Sequence, residues 1–161
     1  MLIMLNDKVV AVTGGSGGIG SAICRTFANA GATCIVAYNN NEQAANDVVA
    51  SLKGDGHWAH YVPVDITAAL EGFANLVDEK HGRLDVLVNC AGVTKFIAHR
   101  DLAALDDDLI DEMFRVNWRG SFVAVRVFHD LLKKTGDGLV VKITMPLDDA
   151  ATLLATREAA A

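Results

Sequence analysis

Thr13-Gly14-Gly15-Ser16-Gly17-Gly18-Ile19-Gly20 is the stretch that decides how this chain is read. The β-branched run Val9 to Val12 leads into it, as a buried strand leads into a turn. Beyond it Ile19, Ala22, Ile23, Thr26, Phe27 and Ala30 recur at helical spacing, which predicts one apolar face, and Gly31 supplies the stop. Strand, glycine turn and helix in that order bring bare backbone together with the unpaired N–H groups of a helix start, a geometry suited to a phosphate. A glycine cluster alone also fits a tight structural turn or a methyltransferase-type loop. Its place between strand and amphipathic helix favours a dinucleotide.

Working outward, the same unit recurs. Thr33 to Ala37 predicts a second strand, and Ala44, Ala45, Val48, Val49 and Leu52 form the stripe of a second helix, for which Asn39 and Glu42 resemble a capping box. Tyr61 to Val64 reads as a third strand, Thr67 as a helix cap, and Leu70, Phe73, Leu76 and Val77 as a third stripe ending near Gly82. Val86 to Val88 makes a fourth strand. Leu109, Ile110, Met113 and Phe114, then Phe122, Val125 and Leu132 beyond Asn117, predict a long helix with a local disturbance that ends at Gly136-Asp137-Gly138. Leu139 to Ile143 is the fifth strand. Such alternation implies an α/β fold, a doubly wound parallel sheet of Rossmann type with helices on both faces.

Composition narrows the class of partner. At 161 residues and 52% hydrophobic, the chain suffices for one ordered domain over 1–161. Its net charge of −6 offers no overall attraction to nucleic acid or an anionic membrane, so neither partner is expected. Cys24, Cys34 and Cys90 lack the spacing of a zinc site or disulfide framework, and reduced thiols in a cytoplasmic setting are their simplest account. Met1 to Leu5 is too short for a signal-peptide core or membrane span. No repeat of solenoid length occurs. Asp106, Asp107 and Asp108 read as helix-start charges rather than a metal site, and no metal is expected.

The glycine loop, Val64-Asp65 after the third strand, Asn89-Cys90-Ala91-Gly92 after the fourth, and Asn117 in Arg115-Val116-Asn117 together resemble the short-chain dehydrogenase/reductase family. The resemblance runs from about Lys8 to Thr144 and is most similar to the 3-oxoacyl-carrier-protein reductase-like subgroup; 145–161 diverges or is truncated. It implies that Gly14, Gly18, Ile19 and Gly20 line the pyrophosphate, with Ser16 in the same loop. Asp65 would accept from the adenine amino group, and Asn89, Ala91 and Gly92 would pass along the adenine ribose. Taken singly, Asp65 also fits a cap for the turn before Thr67, and Asn89 a brace for the strand end.

Where NAD is usually held by a carboxylate at the end of the second strand, Tyr38-Asn39-Asn40-Asn41 supplies neutral donors, Asn39 among them, which favours NADP(H) over NAD(H). Asn117 inside a helix competes with the backbone ladder; the resemblance implies a disturbed turn whose freed backbone group holds a water in a proton relay, and the alternative is a polar residue facing solvent.

The catalytic set departs from the family. Met145 takes the place of the serine that polarises a carbonyl, with Thr144 beside it. Leu153-Leu154-Ala155-Thr156-Arg157 resembles Y-x-x-[ST]-K with leucine for tyrosine and arginine for lysine. Leucine transfers no proton, Arg157 could still hold a ribose hydroxyl, and the remaining tyrosines, Tyr38 and Tyr61, fall in early strands. Catalytic candidates are therefore Asn117, Thr144 and Arg157. The expectation is a scaffold for hydride transfer between a nicotinamide and an unknown carbonyl or alcohol, with a catalytically silent nucleotide-binding or subunit-interaction module as the alternative. Any homo-oligomer is expected to form through the helix containing Asn117.

Overall fold

The computed structural model describes residues 4–63, 66–95, 97 and 101–144, with the side chains of 66–68 and 102 outside that description. Five parallel strands, β1 (Val9–Thr13), β2 (Thr33–Tyr38), β3 (Trp58–Tyr61), β4 (Val86–Asn89) and β5 (Leu139–Lys142), lie in the order β3-β2-β1-β4-β5. The central strands are buried on both faces, which is why they read as continuous apolar runs rather than alternating ones. Helices α1 (Gly18–Asn29) and α2 (Glu42–Ser51) pack on one face through Cys24, Ala28, Ala45 and Val48. On the other face lie α3 (Ile66–His81) and α5 (Ser121–Lys134), where Phe73 and Phe128 meet edge-on at 5.2 Å. Each fully buried aromatic of this kind is worth about 1.5–3 kcal/mol relative to exposure.

α4 (Asp107–Met113), a π-helical turn over Phe114–Gly120 and α5 follow one another without a break. This is the long helix with a disturbance at Asn117 that the sequence predicts. Asp106 caps α4, its Oδ1 accepting from the Leu109 amide at 2.9 Å, so the aspartate run is indeed a helix start.

Several local expectations need correction. The buried residues of α1 are Gly20, Ser21, Cys24 and Ala28, while Ile19 is 63% exposed and Ile23 and Phe27 are only half-buried. Small residues face the sheet because α1 sits close on β1 and β2, leaving the bulkier stripe on its flank. Asn41, not Asn39, caps α2 by accepting from the Ala44 amide at 2.9 Å. β3 lies earlier than Tyr61 to Val64, because the Ile35↔Trp58 to Tyr38↔Tyr61 register sets its pairing. Thr67 lies within α3 rather than before it. Ile110, Phe114 and Phe122 point outward, since the π turn rotates the core face onto Val123, Ala124, Phe128, Leu131 and Leu132.

At the N-terminal edge of the sheet, Asp85 is only 3% exposed and is held by the Val9 amide (2.9 Å), the Arg83 Nε (2.9 Å) and the Lys8 ammonium (3.1 Å). Burial alone would raise its pKa, but hydrogen bonds from Arg83, Val9 and Lys8 outweigh it and hold the carboxyl below its ordinary 3.8. A depressed carboxyl contributes stability in full above its unfolded value and loses it as pH falls through the folded one. Asp85→Ala is expected to cost about 2–3 kcal/mol in urea unfolding at neutral pH. The variant's deficit should shrink below pH 3.8, where the parent loses the same contribution.

Candidate functional site

β1 is where the strand order reverses: the chain passes from β1 to β2 on one side, and β4 returns on the other. In open parallel sheets that point leaves a crevice at the carboxyl edge of the strands. Here it has a volume of about 310 Å³ and is walled by the glycine turn, the end of β2, Val62 and Pro63 after β3, and the loop after β4.

Thr13 builds the floor. Its hydroxyl lies in reach of three backbone groups at the end of β4, accepting from the amides of Cys90 (3.2 Å) and Ala91 (3.1 Å) and donating to the Val88 carbonyl (3.4 Å). This brings Gly14 onto Ala91. Gly14 has φ +67°, and a Cβ on it would stand 2.9 Å from the Ala91 Cα, so both backbone shape and space call for glycine. Gly20 is buried where a Cβ would collide with the Gly14 carbonyl, which lets the first turn of α1 close under the loop. Gly17 caps α1 without any side-chain bond, and no acid lies in the first turn. The first amides of α1 therefore lack side-chain capping, as an anion-receiving helix start requires.

Of the expected binding residues, Gly14, Ser16, Asn39, Asn89, Ala91 and Gly92 line the crevice. Gly20 packs beneath it. Gly18 and Ile19 start α1, but the Ile19 side chain lies on the outer flank of the helix, in a shallow groove with Ala22, Ile23 and Phe27. Asn39 is partly occupied, donating through Nδ2 to the Val62 carbonyl at 3.1 Å, and Asn41 is spent on its helix. Asn40 lines the crevice without either duty. Asn89 is buried and donates to the Ser121 carbonyl at 3.4 Å, so it braces β4 against α5. Asp65 and Arg157, with Met145 and Leu153, lie outside the described residues; Thr144 is exposed just past β5.

Asn117 lies in the π turn and is half-buried. Its side chain pairs with the backbone of Val93 in both directions, Nδ2 donating to the carbonyl at 2.9 Å and Oδ1 accepting from the amide at 2.8 Å. Its own carbonyl accepts from the Ser121 hydroxyl at 3.0 Å, four residues on. The π turn thus clamps the loop after β4 over the crevice.

The sequence named Thr13, Asn40 and Val116 only as members of their motifs and gave Glu112 and Ser121 no role; all five line the crevice, and Ser121 also supports Asn117. A hydroxyl at a strand end and a serine four residues after a helical asparagine were the available signals. Tyr38 lines the crevice at the end of β2; burial first, then the neighbouring Glu42 carboxylate, push its phenol pKa up.

The family described as short chain dehydrogenase matches residues 8–146, and the chain belongs to it. The chain is 31% identical over 142 residues to a cyclopentanol dehydrogenase of Comamonas testosteroni, covering 87% of this chain and 55% of that protein. It is 32% identical to the 2,3-dihydro-2,3-dihydroxybenzoate dehydrogenase of Bacillus subtilis, covering 86% and 52%. Among solved structures, a short chain dehydrogenase from Burkholderia cenocepacia in complex with NADP superposes with a TM-score of 0.72 at 34% identity, covering 80% of this chain and 52% of that one. The chain spans about half the length of the curated relatives it matches.

Gly20→Ala drives a methyl into the Gly14 carbonyl, and we expect it to lower stability by about 1–3 kcal/mol in thermal or urea unfolding. Asn117→Leu removes both bonds to Val93 and should cost about 1–2 kcal/mol, with faster amide exchange at Val93; unchanged exchange there would contradict the clamp.

Proposed function

We propose that this chain binds a nicotinamide dinucleotide across the crevice, with NADP(H) preferred to NAD(H). The observation that carries the reading is the fit of bare backbone to a diphosphate: the Gly14 turn wedged on Ala91 and facing the uncapped start of α1. In this reading Gly14, Ser16, Gly18, Ile19 and Gly20 present backbone to the pyrophosphate, Asn39 and Asn40 meet the adenosine ribose, and Asn89, Ala91 and Gly92 follow the ribose edge, with Asp65 at the adenine. The bound nicotinamide supplies the hydride acceptor or donor for a carbonyl or alcohol carbon. Asn117 keeps the loop after β4 in place, and Thr144 and Arg157 are the candidate polar groups toward the reacting end.

A silent binding module is the second reading, and a specific observation favours it. The chain has two tyrosines, which stand at the ends of β2 and β3 with their rings 5.8 Å apart, on the adenosine side. In the dinucleotide reading this leaves neither at the nicotinamide end. A cytoplasmic setting accords with three free cysteines, two of them buried with thiol pKa values pushed up to about 12 by desolvation. No helix among the described residues is long and apolar enough to cross a membrane.

We further propose self-association of two copies through Phe114, Trp118 and Phe122. They are 64%, 64% and 58% exposed, and the Trp118 and Phe122 rings stack at 6.1 Å. Exposed aromatic rows of this kind are typical of interface cores.

Fluorescence titration should give a lower Kd for NADPH than for NADH. Glu42→Gln, which removes the carboxylate beside Tyr38, should tighten NADPH by about two- to fivefold and leave NADH nearly unchanged; tighter NADH than NADPH in the parent would reverse the preference. NADPH oxidation with small ketones and acetoacetyl thioesters separates the two readings, binding without turnover supporting the silent module. In light scattering Trp118→Glu should shift the mass to that of one chain, and a parent that is already monomeric would sink the interface.

A further inference from the structure

β3 is an outer strand of the sheet, and it sends Trp58 and His60, two residues apart and so on one face, toward α3. The Trp58 indole N–H donates to His81 Nε2 at 3.0 Å, with the two rings stacked at 6.2 Å and 18°. Trp58 also meets Phe73 edge-on at 6.0 Å, and His60 stacks on Phe73 at 4.6 Å. The Lys80 ammonium sits 4.6 Å over the Trp58 ring.

An indole N–H only donates, so His81 Nε2 must offer a lone pair, and the ring is neutral with its proton on Nδ1. Protonation of His81 deletes that acceptor. It also sets a cation beside Lys80 on its own helix, with the titratable His60 facing it from β3. From α5, Lys134 is taken up by Asp78, which bonds it at 2.7 and 3.0 Å three residues before His81. Burial first, and the Lys80 charge second, lower the pKa of both imidazoles below the ordinary 6.5.

β3 runs straight into Val62 and Pro63, which wall the crevice. Val62 is held there by its amide on the Tyr38 carbonyl at 2.7 Å and by Asn39 on its own carbonyl.

We propose that the Trp58–His81 pair is a proton-operated clasp. It fixes β3 against α3 while His81 is neutral and releases the strand, with the Val62–Pro63 wall of the crevice, in mildly acid solution. The effect on the crevice rests on the dinucleotide reading above; the clasp itself does not. A histidine with a lowered folded pKa leaves stability intact above its unfolded value, and stability falls as pH drops below 6.5 toward the folded one.

The test uses the full chain carrying Trp118→Phe, which leaves Trp58 as the one tryptophan. Trp58 emission and NADPH affinity are followed from pH 8 to pH 5. We expect an emission step with its midpoint below pH 6.5, and a Kd for NADPH that rises roughly two- to tenfold through the same interval. Adding His81→Gln, whose amide oxygen accepts the same bond without titrating, should flatten both responses. His81→Phe keeps the ring stack without the acceptor and should also be flat, while His60→Gln should keep the step. The same step in the His81→Gln and His81→Phe proteins, or no step in the parent, would overturn the clasp. An emission step without a change in Kd would overturn its link to the crevice, whereas NADPH that fails to bind at any pH would sink the dinucleotide reading and leave the emission step to decide the clasp.

Discussion

The contact of the Gly14 turn with the end of β4 is what the rest of this molecule is arranged around. Thr13 ties β1 to the Cys90 and Ala91 amides, and the missing side chain at Gly14 lets two backbones touch where a Cβ would stand 2.9 Å from Ala91. The parallel pairing of Thr13 with Ala37 on one side and Asn89 on the other puts that contact at the reversal of strand order. Backbone polarity is exposed there without side chains in the way. A charged ligand group can then be met by N–H dipoles, which, unlike a buried ammonium, need no counter-charge of their own.

Support for this contact comes from outside the glycine loop. Asn117 in its π turn holds Val93, Ser121 holds the Asn117 carbonyl, and Asn89 reaches the Ser121 carbonyl. The loop after β4 is thereby fixed to the long helix by side chains rather than by ladder bonds. At the opposite edge of the sheet Asp85 gathers Val9, Lys8 and Arg83, so the two central strands are pinned at both ends. Placing binding groups on the rigid end of a braced sheet suits recognition, because the groups need little ordering when a ligand arrives.

Strands β1, β2 and β4 were legible because a strand buried on both faces writes itself as a continuous apolar run. The outer strand β5, though largely exposed, was legible from its Leu139-Val140-Val141 sequence after the Gly136-Asp137-Gly138 stop. β3 was not: Trp58 and His60 carry polar atoms, and its position depends on register with β2. The face of α1 was misjudged for a related reason. Hydrophobicity marks which residues prefer burial, whereas the close approach of α1 to the sheet admits only small ones, and Ile19 is left outside. For Asn39 and Asn41, composition alone could not say which of two neighbouring amides would cap a helix and which would reach across to Val62.

By itself the order of residues determined the class of fold, the location of the glycine turn between strand and helix, the disturbance at Asn117, and the family that these motifs resemble, since each depends on local periodicity or on a short spacing. Only the tertiary structure decided what each side chain does with its hydrogen bonds. Asn117 meets Val93, Thr13 meets Ala91 and Trp58 meets His81 across gaps of 24, 78 and 23 residues. Such pairings are set by strand order and helix packing, and nothing in the neighbouring residues encodes them.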